Sequence, residues 1–135
     1  MPAEMNDESG IRGREAGSAR RRRSQGRMHA QIQARMNEID GSLAGWTDDF
    51  VFGEVWAGED LVWTERVLVA LIALATQGHH AQLKNYLHGA LQDGIPEAKL
   101  RQALTMLVVY AGFPVAIQAL DVLGQVVAIE ARHTS

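Results

Sequence analysis

The sequence predicts an all-α protein: an antiparallel bundle of about six helices behind an N-terminal tail without fixed structure. Three observations carry this. From Ala30 onward every long periodic segment places apolar residues at helical spacing, and none alternates as a half-buried strand does. Twice the chain stops a helix with glycine and restarts it with proline, at Gly94 and Pro96 and again at Gly112 and Pro114. The connections between these segments are short, which makes successive helices antiparallel neighbours.

Residues 1–27 hold Met1, Met5 and Ile11 as their only large apolar side chains. So little apolar area cannot offset the entropy of ordering, so a disordered Arg-rich tail is expected over 1–27 and one folded domain over 28–135. A first amphipathic helix follows over about 28–39 (Met28, Ile32, Met36, Ile39), stopped by Asp40-Gly41. Thr47 then reads as the N-cap of a second helix reaching Val55, with Asp48 and Asp49 in its first turn. Thr64 reads as the cap of a third, Glu65 to Thr76, which is apolar nearly all round. Such a helix belongs at the centre of a fold or in a subunit interface. Gly78 ends it, and a fourth helix over about 80–92 buries Leu83, Leu87, Ala90 and Leu91. The fifth opens at Pro96 and runs to Ala111. The sixth opens at Pro114 and runs to about Ala131.

Length and composition exclude several functions. At 135 residues the chain suits one domain, and its zero cysteines remove disulfides, thiol nucleophiles and thiolate metal sites. Residues 1–36 carry eight arginines against four acids, whereas residues 37–135 carry five basic residues against twelve acids. The run Arg20-Arg21-Arg22-Arg23 is followed by Ser24-Gln25-Gly26-Arg27, not by the apolar stretch an export signal needs. No aromatic residue is interleaved for base stacking, which argues for a solvated tail over a nucleic-acid arm. No apolar run reaches the roughly 20 residues of a membrane span uninterrupted. A soluble, cytoplasmic protein without nucleic-acid or membrane partners is expected.

Phosphate loops, HExxH, EF-hand loops and GxSxG elbows are missing from the sequence, so chemistry falls to His, Glu, Arg and Tyr. His79 and His80 are adjacent and cannot both face one pocket from a helix, and no metal site is expected. On the fourth helix Tyr86 lies about 60–70° from the centre of the buried stripe, at its edge. His88 lies about 130° away on the other side, facing solvent or a partner subunit. Arg66 is the sole basic residue of its helix. It either pairs with a carboxylate such as Glu54 or binds an anionic substrate, since its fork matches carboxylate geometry. Trp56 reads as structural on position alone. Tyr110 reads by default as a core aromatic with a satisfied hydroxyl.

These pieces, in this order, resemble a known family. Phe52-Gly53-Glu54-Val55-Trp56, Leu61 and Arg66 are similar to the opening of γ-carboxymuconolactone decarboxylases. So are Gly78, Ala90-Leu91-Gln92-Asp93-Gly94, and Val109-Tyr110-Ala111-Gly112-Phe113-Pro114 followed by Ala116 and Ala119. The resemblance covers roughly residues 50–127 without gaps. It implies the alkylhydroperoxidase-D-like fold, assembly as a homotrimer or homohexamer, and chemistry without metal or organic cofactor. Family decarboxylases remove a carboxyl group as CO₂ and reprotonate the dienolate. Their peroxidase relatives use a CxxC pair whose positions fall on His79 and Gln82 here, so thiol peroxidase chemistry is excluded.

The family's acid–base set is changed in this chain. Counting twenty residues from Arg66, or eight back from Gly94, reaches Tyr86, where the family has a histidine. Gln82 and Gln102 stand where the family has glutamates, and Met106 where it has a polar residue. Glu54, Trp56, Arg66 and Tyr110 are retained. A tyrosine of ordinary pKa near 10 donates to an enolate but is a weak base at neutrality. The resemblance therefore implies a diverged lyase or cyclase acting through an enolate on a keto acid, lactone or polyketide-like molecule, in biosynthesis rather than aromatic catabolism. Tyr86, Glu54 and Tyr110 would be catalytic, and Arg66, Trp56, Gln82 and Met106 would bind substrate. The competing reading is a non-catalytic oligomeric homologue that serves as a binding or scaffold protein.

Overall fold

A computed structural model describes the backbone of residues 2–134 and the side chains of residues 12–134. All regular structure among the described residues is helical, so the all-α class holds. The chain divides into two compact units, residues 1–61 and 62–135.

In the first unit α1 (Pro2–Gln25) leads through a 3₁₀ turn, Gly26–Met28, into α2 (His29–Ile39) and α3 (Gly41–Trp46). α3 runs directly into a π-helical turn, Thr47–Val51, and a 3₁₀ turn, Val55–Ala57, follows. The sequence expectation is corrected here in two ways. Residues 12–25, expected to lack structure, are helical and docked against the π-turn and the 55–57 turn. The share of that expectation concerning Met1 and the side chains before Arg12 lies outside the described residues. Thr47, expected as an N-cap, sits within a continuous helical path, and its hydroxyl donates to the Leu43 carbonyl at 2.7 Å. The cap is instead Asp40, whose Oδ1 accepts from the Ser42 amide at 2.8 Å. An aspartate read as a stop is thus the start of the next helix.

Polar groups hold α1 down. Arg21 is 2% exposed and donates from Nε to Asp48 Oδ1 at 2.7 Å. It also donates to Gln25 Oε1, the His29 carbonyl and Gln33 Oε1, while Gln33 Nε2 donates to Asp48 Oδ2. One guanidinium therefore ties α1, α2 and the π-turn together through four of its five N–H donors. Nearer solvent, Arg14 grips Asp49 with two parallel bonds of 2.6 and 3.0 Å.

The Arg14 hydrogen bond holds the Asp49 carboxyl below the ordinary carboxylate range; burial pushes the other way, and the guanidinium charge adds to the lowering. Because the folded value is depressed, this contribution to docking is present above the unfolded value near 4 and is lost as pH falls through the folded one. Loosening of α1 is therefore expected only in acid, below about pH 4. A fluorophore near the N-terminus, titrated beside Asp49→Asn, checks this. The variant should lose the part of the acid transition that Asp49 contributes.

In the second unit α4 (Trp63–Thr76), α5 (His80–Gln92), α6 (Glu97–Thr105), α7 (Leu107–Tyr110) and α8 (Phe113–Thr134) pack around one core. α8 lies along α5, α6 and α7 and also touches α4, burying Ala116, Ala119, Leu123 and Val126. Against them stand Leu71, Leu83, Leu87, Leu100 and Leu104, each 1% exposed or less. α4 begins at Trp63, one residue before the expected cap at Thr64. The Glu65 carboxylate accepts from the Val62 amide at 2.9 Å, one half of a capping box, since valine has no side-chain acceptor to return.

Gly78, Gly94 and Gly112 have φ of +76°, +93° and +98°, as expected of helix stops. At the first two, a six-to-one bond closes the end: His79 to the Leu74 carbonyl and Ile95 to the Ala90 carbonyl, both 3.0 Å. The expected single helix over 97–111 is interrupted at Met106, giving α6 and the short α7. By length and composition alone, α8 is long and apolar enough to cross a bilayer. It presents Gln118, Asp121 and Gln125 on its exposed side, and Gln125 donates to Asp121 at 3.1 Å.

Candidate functional site

Glu54 and Trp56 belong to the first unit. The π-turn closes when the Phe52 amide donates to the Thr47 carbonyl at 2.9 Å, and the Glu54 amide then donates to the Phe50 carbonyl at 3.0 Å. The wide turn sends Phe52 inward, 1% exposed, with its ring 5.1 Å from that of Trp56. Glu54, two residues on, points to solvent. Trp56 is buried beside Phe52, the structural role that position alone suggested.

The other candidates lie on the second unit. Arg66 sits in the first turns of α4, half-buried, its amide donating to the Val62 carbonyl at 3.1 Å. Tyr86 is half-buried at the edge of the α5 stripe, between buried Leu83 and Leu87, and Gln82 one turn earlier is exposed. α4 packs against both α5 and α6, so helices in mutual contact carry Arg66, Gln82 and Tyr86, with Met106 at the end of α6. Tyr110, expected as a core aromatic, is 79% exposed at the end of α7. Met106, Val109, Phe113 and Ile117, near it in sequence, are exposed as well. The break at Met106 causes this, because α7 buries only Leu107. α4 shows the same character: Val67, Leu71 and Ala75 are buried, while Val69 is exposed.

His88 is the clearest departure from expectation. Helical angles placed it toward solvent or a partner, yet it is 9% exposed, with Nδ1 2.6 Å from Glu130 Oε2. Gln92, one turn along α5, donates to the same oxygen at 3.0 Å. α8 covers the flank of α5 opposite Tyr86 and brings a carboxylate to it. The i, i+4 pair His88 and Gln92 was visible in the sequence. Its partner, 42 residues away, was not.

A family model for carboxymuconolactone decarboxylases matches residues 42–125. The chain belongs to the carboxymuconolactone decarboxylase family. No curated protein matches the chain. The family-matched span contains all seven candidates, Glu54, Trp56, Arg66, Gln82, Tyr86, Met106 and Tyr110. It leaves out α1 and α2 at one end and Glu130 at the other. Among the described residues no cluster of three or more His, Asp or Glu is arranged to hold a metal ion.

This carboxymuconolactone decarboxylase family member carries Arg66, half-buried, and Tyr110, exposed, on its second unit. A half-buried guanidinium supplies fixed donors for a carboxylate or enolate, and a phenol supplies one more. Apolar Met106 and Val109 beside Tyr110 would sit against the hydrocarbon part of a ligand.

Proposed function

We propose that the protein is a cofactor-independent lyase or cyclase that works through an enolate on a keto acid, lactone or polyketide-like small molecule. The observation that supports this reading is family membership over residues 42–125; the resemblance matches Arg66 and Tyr110 to family positions and puts a phenol, Tyr86, where the family has a histidine. In a decarboxylation the bond between the α-carbon and the carboxyl carbon breaks and CO₂ leaves. The electron pair passes to the neighbouring carbonyl oxygen as an enolate, and a proton is then returned to carbon. Arg66 binds the anion, and Tyr86 and Tyr110 donate hydrogen bonds to the enolate oxygen, which stabilises charge where it develops. Glu54 handles the proton, Trp56 and Gln82 shape the ligand's surroundings, and Met106 contacts its apolar part.

Tyr110 and its apolar neighbours are too exposed to enclose a substrate within one chain. The reading therefore includes self-association, as a homotrimer or homohexamer, with a second copy covering this surface and excluding water. The protein works in the cytoplasm on a small molecule. A second reading, an oligomeric binding or scaffold protein, draws support from the same exposed surface and from glutamine at 82 and 102.

The test is turnover of γ-carboxymuconolactone and a panel of β-keto acids and lactones, followed by CO₂ release. Arg66→Ala should lower kcat/KM by about 10²-fold, and Tyr86→Phe by about tenfold, with most of the latter in kcat. Wild-type turnover in both variants would remove these residues from the chemistry. Saturable ligand binding without turnover would favour the scaffold.

A further inference from the structure

The structure assigns a positioning role to the N-terminal helix: we infer that Gly17 and Arg20 of α1 set the backbone that presents Glu54. The inference rests on the proton-handling role given to Glu54 above. It arises from an element that lies wholly outside the family-matched residues.

Three contacts converge on the six residues before Glu54. Gly17 lies where two backbones meet. A Cβ there would collide with the Asp48 carbonyl oxygen and stand 2.8 Å from the Gly53 nitrogen and 2.9 Å from its Cα. Gly53 immediately precedes Glu54, so the helix touches the chain one bond from the residue it would position. One turn along the same face, Arg20 Nη1 donates to the Phe52 carbonyl at 2.7 Å. The next residue, Arg21, holds Asp48 in the π-turn at 2.7 Å. Positions 14, 17, 20 and 21 share one face of α1, spaced by helical turns. Their targets, Asp49, Asp48, Gly53 and Phe52, lie in one short stretch.

The physical consequence follows from the π-turn. A turn closed by i to i−5 bonds is a rare insertion in an α-helical path, and it is held where surrounding groups fix it. Here α1 supplies those groups. A carbonyl bound by a charged donor and a glycine pressed between backbones leave Phe52 and Gly53 little freedom, and the direction of the Glu54 side chain follows from theirs. Arg20 does not act on a reacting group. It acts through the backbone of Phe52 and Gly53.

Amide hydrogen exchange on the full-length protein tests the coupling, read at the Phe52 and Glu54 amides. Arg20→Met, which keeps the side chain's bulk but removes the donor, should raise exchange there by about tenfold. Gly17→Ala should do so by more, because the added carbon meets backbone on every side. Arg20→Lys, which restores a donor, should recover most of the protection. Arg22→Ala, on the other face of α1 with its Nε on the Ser18 carbonyl, should leave exchange unchanged. Unchanged exchange across 50–57 in both Arg20→Met and Gly17→Ala overturns the proposal. With a turned-over substrate, Arg20→Met should lower kcat and leave KM in place. The reading of Glu54 itself is judged separately. If Glu54→Gln leaves turnover intact, that reading fails, whatever the exchange result.

Discussion

Replacing Arg21 with alanine is expected to destabilise the first unit by about 3–5 kcal/mol. The reason is what remains behind. Arg21 and Asp48 are 3% and 10% exposed at their side chains, so the variant leaves a carboxylate buried without its cation. It also leaves the Gln25, His29 and Gln33 acceptors without their shared donor. A desolvated charge that loses its partner costs far more than the pair contributes over an apolar replacement. The double variant Arg21→Met, Asp48→Leu should therefore recover much of the loss. Urea unfolding followed by circular dichroism would measure both. A single variant within about 0.5 kcal/mol of wild type would mean that α1 is not docked in solution.

The second large effect is expected at His88. His88→Ala removes an imidazole from between α5 and α8, opens a cavity and leaves the Glu130 carboxylate with Gln92 as its remaining partner of the pair described. The combined cost should be about 3 kcal/mol. Glu130→Gln keeps an acceptor for Nδ1 and for Gln92, and should cost nearer 1 kcal/mol. Thermal unfolding of both variants separates the contributions. Equal losses would mean that the negative charge, not the cavity or the hydrogen bond, dominates. The comparison matters because the Glu130 partner of His88 and Gln92 lies on α8, so the pair holds two helices together.

Much of the fold was legible because it depends on local signals. The glycines at 78, 94 and 112 took positive φ where a stop was read, and α5 formed over the residues its stripe marked. Tyr86 fell at the edge of that stripe as the helical angle required. What was not legible depends on partners distant in sequence. His88 was placed by the stripe of its own helix, which holds no information on α8. The first 27 residues were judged by apolar content, and that judgement was sound as far as it went. Their docking uses an arginine network and a glycine contact, neither of which a hydrophobicity argument registers. Thr47 failed as a cap because Asp40, seven residues earlier, had already begun the helix.

The candidate site was readable in a different sense. Its residues come from the family pattern, and the family match over 42–125 contains every one of them. Their exposures were not readable. Tyr110, read by position as a core aromatic, stands in solvent, whereas Trp56 is packed on Phe52. The break at Met106 explains the first. The π-turn, which aims Phe52 and Trp56 inward, explains the second.

The docking of α1 also bears on the order of events during synthesis. Its longest described polar link, Arg14 to Asp49, spans 35 residues, and Arg21 to Asp48 spans 27. All these contacts lie within the first 61 residues, so none must wait for α4 to α8 to leave the ribosome. Contacts of short sequence separation close early and at low entropic cost. The first unit can therefore mature while the second is still being translated.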